Sequence, residues 1–274
     1  MPTRFPRSLG ASLLASLALV SPRQAPQHKT LFAEEFSGTT LDRSKWNVIV
    51  TGRTVNNEQQ AYIDSTDVLS VGGGTLTIRP HFRAGFRTPE GKRFDFVSGR
   101  IDTRNKFDFA YGTAAARMKL QPGAGLWPAF WALGNGRWPD TGEIDVMENV
   151  GESGWTSVAL HGPGYFGDTP LVKRAPIDVA DWHVYSVEWT ADLLIFRIDD
   201  REIYRVTKAD VEKHGRWAFD NPKHLLLNLA LGGVYPHGVN KIEKPYPGIS
   251  DATVDAIKND KVAIVVDWVR VVQN

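Results

Sequence analysis

Gly142-Glu143-Ile144-Asp145-Val146-Met147-Glu148-Asn149, entered through Trp138-Pro139-Asp140-Thr141, interleaves three acids with apolar residues. Such alternation marks a strand. Side chains switch face at every strand residue, so Glu143 and Asp145 share one face, with Ile144 and Val146 on the other. Glu148 then has the wrong parity. A one-residue bulge between Asp145 and Glu148 restores it, and bulges that re-aim a side chain are over-represented beside active sites. With that bulge, all three acids point the same way.

Glu143 and Glu148 then lie about four strand steps apart, roughly 13 Å between Cα atoms at ~3.3 Å per step. Leaning together, their carboxyl groups can approach the ~5–5.5 Å of a retaining glycosidase, which leaves too little room for the water of an inverting one. Asp145 lies between them. Three carboxylates so close cannot all ionise freely, so at least one keeps its proton near neutral pH and can act as a general acid. The competing reading is an acidic edge strand with Glu and Asp on its wet face. Clustered like charges disfavour a fold unless they are used, which weighs against it.

Outward from this stretch, the chain from Thr30 is a series of short alternating runs punctuated by turns. Leu69-Ser70-Val71, Gly72-Gly73-Gly74 and Leu76-Thr77-Ile78 read as strand, turn, strand. Tyr185-Ser186-Val187-Glu188-Trp189 alternates cleanly, and Leu194 to Ile198 turns at Asp199-Asp200 into Glu202-Ile203-Tyr204. The only helix-like piece is Thr207 to Lys213, with Thr207 as N-cap. Evenly spaced strands without repeats or linkers predict an all-β sandwich or barrel in a single domain, residues 26–274.

The chain has 274 residues, 42% hydrophobic and 11% aromatic, enough for one large core. Its formal net charge of +1 with scattered Lys and Arg gives no basic patch for nucleic acid. Nine Trp fit either a heavy core or a platform for sugar rings. Residues 1–25 resemble a secretory signal, with Arg4 and Arg7 before an apolar run from Leu9 to Val20 that is too short to span a bilayer. An extracellular or periplasmic location is therefore expected. No cysteine is present, so stability there falls to the core or to a metal.

Gly142 to Glu148 resembles the bulged E-x-D-x-x-E signature of glycoside hydrolase family 16, the endo-β-1,3-glucanase (laminarinase) type. Gly125-Leu126-Trp127-Pro128-Ala129-Phe130-Trp131-Ala132-Leu133-Gly134, Leu227 to Gly233 and Val266 to Val271 resemble neighbouring family strands in the family's order. The resemblance implies a concanavalin A-like β-jelly-roll sandwich with a substrate cleft across its concave sheet. It also implies Glu143 as nucleophile, Asp145 as its helper and Glu148 as acid/base, with no catalytic cofactor, a β-glucan as partner and a monomeric chain. Alternatives within its reach are a β-1,3-1,4-glucanase, another family 16 hydrolase or transglycosylase, and a non-catalytic β-glucan-binding protein.

Trp127, Trp131 and Trp138 flank the acid strand and are candidates for the cleft wall, although large aromatics are mostly core. His161 follows the next strand, where the family often has His. Asn57, in Asn56-Asn57-Glu58-Gln59-Gln60, resembles a family segment that contacts sugar hydroxyls, and Arg100 matches a cleft-lining position. By resemblance, Glu35, Gly74 and Asp267 match a structural Ca²⁺ site built from backbone carbonyls and one aspartate. Two departures stand out: Ala115 where the family usually has Glu, expected to alter strand contacts near the cleft, and Asp199-Asp200 where a hairpin usually ends in Gly.

Overall fold

The computed structural model describes Met1, residues 29–53 and residues 55–273. The signal-like residues 2–25 lie outside this range. Two antiparallel sheets stack face to face. The first runs β16 (Arg201–Thr207), β15 (Leu193–Ile198), β14 (Trp182–Trp189), β9 (Gly112–Lys119), β18 (Ile264–Val272), β5 (Thr75–Ile78), β4 (Leu69–Gly72), with β1 (Thr30–Glu34) also on β18. The second runs β13 (Val172–Pro176), β12 (Trp155–His161), β11 (Glu143–Glu148), β10 (Leu126–Gly134), β17 (Lys223–Leu231), β8 (Arg100–Asp102), β2 (Asn47–Val48). A smaller sheet of β3 (Gln60–Tyr62), β7 (Arg93–Ser98) and β6 (His81–Arg87) flanks it, with β3 parallel to β7. This is the expected jelly-roll sandwich.

The core lies between the two large sheets. Ala114, Ala116 and Met118 of β9 and Tyr185, Val187 and Trp189 of β14 are buried with Phe130 of β10, Ile144 and Val146 of β11, and Leu225, Leu227 and Leu229 of β17. On β17 the alternate residues Leu226, Asn228 and Ala230 lie on the opposite face. Period-two alternation with one face on the core is what makes these runs strands.

The bulge predicted in the acid strand is present. Trp131 and Ala159 flank Asp145, Ala129 and Ser157 flank Glu148, and the register slips between them on both edges of β11. Ile144, Val146 and Met147 all enter the core, so two successive residues face inward and Glu148 emerges beside Glu143 and Asp145.

Helix α1 (Lys208–Glu212) forms where expected, capped by Thr207 with a reciprocal Asp210 contact. Two further helices, α2 (Val234–Asn240) and α3 (Asp251–Lys258), correct the expectation of a single helical piece. The Ser250 cap and Asp251 in the first turn of α3 were visible signals. Asp199 and Asp200 both take left-handed backbone, a turn that Asp tolerates without Gly. Ala115 sits on β9 between Ser186 and Arg270, on the sheet away from the acids, so that substitution leaves the cleft untouched. No helix among the described residues is long and apolar enough to cross a membrane.

Gly142 (φ +72°) turns the chain into β11, and a Cβ there would lie 2.4 Å from the Ala218 carbonyl oxygen. Gly142→Ala is therefore expected to destabilise the protein by about 2–3 kcal/mol. Gly154→Ala, with open space around its Cβ, should change stability by less than about 0.5 kcal/mol. Thermal unfolding of the two variants measures this contrast.

Candidate active site

Strand register places six residues side by side across the second sheet: Arg100, Asn228, Ala129, Glu148, Ser157 and Arg174, from β8 to β13. Adjacent rows carry Trp131, Asp145 and Ala159, then Leu133, Glu143 and His161. These rows floor a cleft of about 300 Å³ lined by all three acids, by Trp127, Trp131 and Trp138, and by Arg100. A roomier hollow of about 560 Å³ lies behind Tyr62, but Asp64 is its one acid.

Each acid has a partner from a neighbouring strand. The Trp127 indole N–H donates to Glu148 Oε1 at 2.8 Å, and the Trp138 indole lies close enough to Glu143 to favour its carboxylate. His161 Nε2 lies 3.2 Å from Asp145 Oδ2 and 3.9 Å from Glu143 Oε1. Burial pushes Glu143, Asp145 and Glu148 each up to about 8, and the Asp145 charge adds to the push on both glutamates. The indole and imidazole contacts pull the glutamates back toward their carboxylates. Such a group holds a proton at neutral pH and can surrender it, the property general acid catalysis needs.

Trp131 turns its N–H to Asn228 Oδ1 at 2.8 Å and carries the Arg100 guanidinium 4.9 Å from its ring centre. Trp138 is 44% exposed and meets the exposed Phe166 edge to face at 5.4 Å. Seven of the candidate residues thus line the cleft and His161 closes its floor. Asn57 does not. Asn56 and Asn57 both take left-handed backbone, which turns Asn57 outward and leaves Asn56 and Glu58 in the lining.

Sequence reading missed Glu58, Tyr62, Asn228 and Lys223. Glu58 Oε2 accepts from Gln60 Nε2 at 2.8 Å and from the Tyr62 hydroxyl at 3.4 Å, and burial raises its pKa. Asn228 was detectable as the polar residue inside an apolar strand. Lys223 is fully buried beneath the start of the acid strand. Its ammonium donates to the Thr141 carbonyl at 2.6 Å and the Ala218 carbonyl at 3.0 Å, and burial lowers its pKa to about 7.

Among the described residues, Glu143, Asp145 and His161 form the cluster of acid and imidazole groups compact enough to share an ion, and burial favours the protonated form of both acids. The Ca²⁺ positions lie elsewhere. β5 and β1 follow one another along the same edge of β18, and Asp267 sits at their junction, where the register slips. Both Glu35 carboxylate oxygens accept from Arg270 at 2.8 Å, and Asp267 Oδ2 accepts from Arg117 at 2.6 Å. The side-chain carboxylates at the two acidic positions of that expected site are thus each paired with an arginine.

Acids grouped on one face of a strand, in an aromatic cleft, define a glycoside hydrolase site. Residues 42–246 match Glycosyl hydrolases family 16, and the chain belongs to that family. It is 33% identical over 245 residues to a beta-glucanase of Rhodothermus marinus, covering 83% of this chain and 82% of that protein. It is 34% identical to the glucan endo-1,3-beta-glucosidase A1 of Niallia circulans over 76% of this chain, and spans about a third (34%) of that protein's length. The endo-beta-1,3-glucanase of Pyrococcus furiosus superposes with a TM-score of 0.78 at 28% identity, over 90% of this chain and 94% of that one.

A carboxyl whose folded-state pKa is raised costs nothing at low pH, where it is protonated folded and unfolded. It destabilises the fold as pH climbs from the ordinary 4.5 toward 8. Glu148→Gln keeps an oxygen for Trp127 and loses the charge, so it should gain about 1–3 kcal/mol at pH 8 and almost nothing at pH 4. Melting curves at the two pH values give the comparison.

Proposed function

We propose that the protein is an endo-β-1,3-glucanase that cuts laminarin-type polymers with retention of configuration. The observation that carries this reading is the bulged strand presenting Glu143, Asp145 and Glu148 together into a tryptophan-walled cleft. Glu148, neutral by burial and held by Trp127, protonates the glycosidic oxygen while Glu143, in the ionised form that His161 and Trp138 favour, attacks the anomeric carbon. Glu148, now a base, then activates water to release the glycosyl group from Glu143. Asp145, 3.2 Å from the His161 imidazole, raises the proton affinity of both glutamates when it is ionised. The bulge argues against the classical mixed-linkage enzymes, and the complete triplet argues against a binding-only protein.

Reducing-sugar release from laminarin, barley β-glucan and agarose tests the reading. Glu143→Ala and Glu148→Ala should each lose at least about 10³-fold in turnover with the fold kept. Substantial residual activity in either would sink the assigned roles, and activity on barley glucan or agarose alone would overturn the substrate. Asp145 raises the pKa of both glutamates, so Asp145→Asn should move both limbs of the pH–rate profile to lower pH. An unmoved profile would remove Asp145 from that role.

The same reading takes residues 1–25 as an export signal, the mature chain as a monomer, and Ca²⁺ at Asp267 as a structural ion. Chelation is then expected to lower the melting temperature by several degrees, reversibly with Ca²⁺ and not with Mg²⁺, and to leave turnover at 25 °C unchanged.

A further inference from the structure

The cleft accounts for one side of the cut. Apart from the acids on β11 and Trp138, its lining comes from β8, β10, β17 and residues 55–62, all on the Arg100 side of Glu148. On the other side the row continues through Ser157 to Arg174. Arg174 is exposed on the last strand of the sheet, yet its guanidinium lies 4.2 Å from the centre of the Trp155 ring and close enough to the Tyr235 hydroxyl to act on its proton affinity. That hydroxyl is 3.1 Å from Ser157 Oγ, directly across from Glu148. The Tyr235 ring meets Trp127 edge to face at 5.7 Å, and Trp127 holds the Glu148 carboxyl.

The arrangement repeats the one at the other end of the row, where Arg100 lies over Trp131. Two arginine-on-tryptophan pairs therefore bracket Glu148, three strands away on one side and two on the other. At ~4.8 Å per strand these are about 14 and about 10 Å. An indole face, a planar guanidinium and a phenol are the groups that recognise a sugar ring and its hydroxyls.

We propose that Arg174, Trp155 and Tyr235 form the subsite for the sugar on the leaving-group side of the scissile bond. It rests on the glucanase reading above. The departing sugar, protonated on its bridging oxygen by Glu148, is held there. The same subsite receives an acceptor sugar in the second half-reaction. The acceptor hydroxyl then replaces water: its oxygen bonds to the anomeric carbon, the bond to Glu143 breaks, and its proton passes to Glu148.

The test compares laminarin with an aryl β-laminaribioside, whose phenolate leaving group needs no sugar on that side. In Arg174→Ala and in Tyr235→Phe, kcat/KM on laminarin should fall at least tenfold further than on the aryl glycoside. Transfer to added laminaribiose should lose its saturation. Arg174→Lys, which keeps the charge without the planar fork, should fall between, and Lys173→Ala should match the wild type. Equal falls on both substrates, or none on laminarin, would overturn the subsite alone. A wild type that hydrolyses neither substrate would take down the glucanase reading with it.

Discussion

Everything at the acid strand depends on one extra residue facing the core. Val146 and Met147 both turn inward, and that step alone brings Glu148 to the face of Glu143 and Asp145. A regular strand would bury Glu148 among leucines and leave an apolar side chain in the cleft. The apolar core enforces the bulge, because Val146 has nowhere better to go than between the sheets. Chemistry and hydrophobic packing are thus decided by the same backbone feature.

Grouping three buried carboxylates works against stability, and the surroundings are arranged to hold them. Indole rings come from two flanking positions, an imidazole from the next strand, and Lys223 fastens the segment just before Gly142 from behind. These contacts are local and specific. They steer the acids without neutralising them, since a full salt bridge to each would drive the pKa down and leave no proton to deliver.

Much of this was legible in the chain. Parity in Gly142 to Asn149 demanded a bulge, the tryptophans stood where a cleft wall was needed, and alternation from Thr30 onward called for a sandwich. What escaped depended on distant segments. Glu58 looks like part of a turn until β3 sets it against the second sheet, and Lys223 looks like a strand-end cation until Thr141 and Ala218 close over it. Asn57 failed for a local reason, two consecutive left-handed residues that no periodicity reveals. α2, with Pro236 inside it and no side-chain cap, gives little signal of its own.

The rows across the second sheet separate two kinds of duty. The acids, Trp127 and His161 sit on β10, β11 and β12, where backbone ladders fix their spacing, whereas part of the surround comes from residues 55–58, the loop at 162–171 and α2 with the turn before it. Loops tolerate insertion and replacement far better than paired strands do. A lineage built on this frame can therefore exchange its jaws, and so the polymer it grips, while the teeth stay in register. Diversification by loop exchange is a property of this architecture before any selection acts on it.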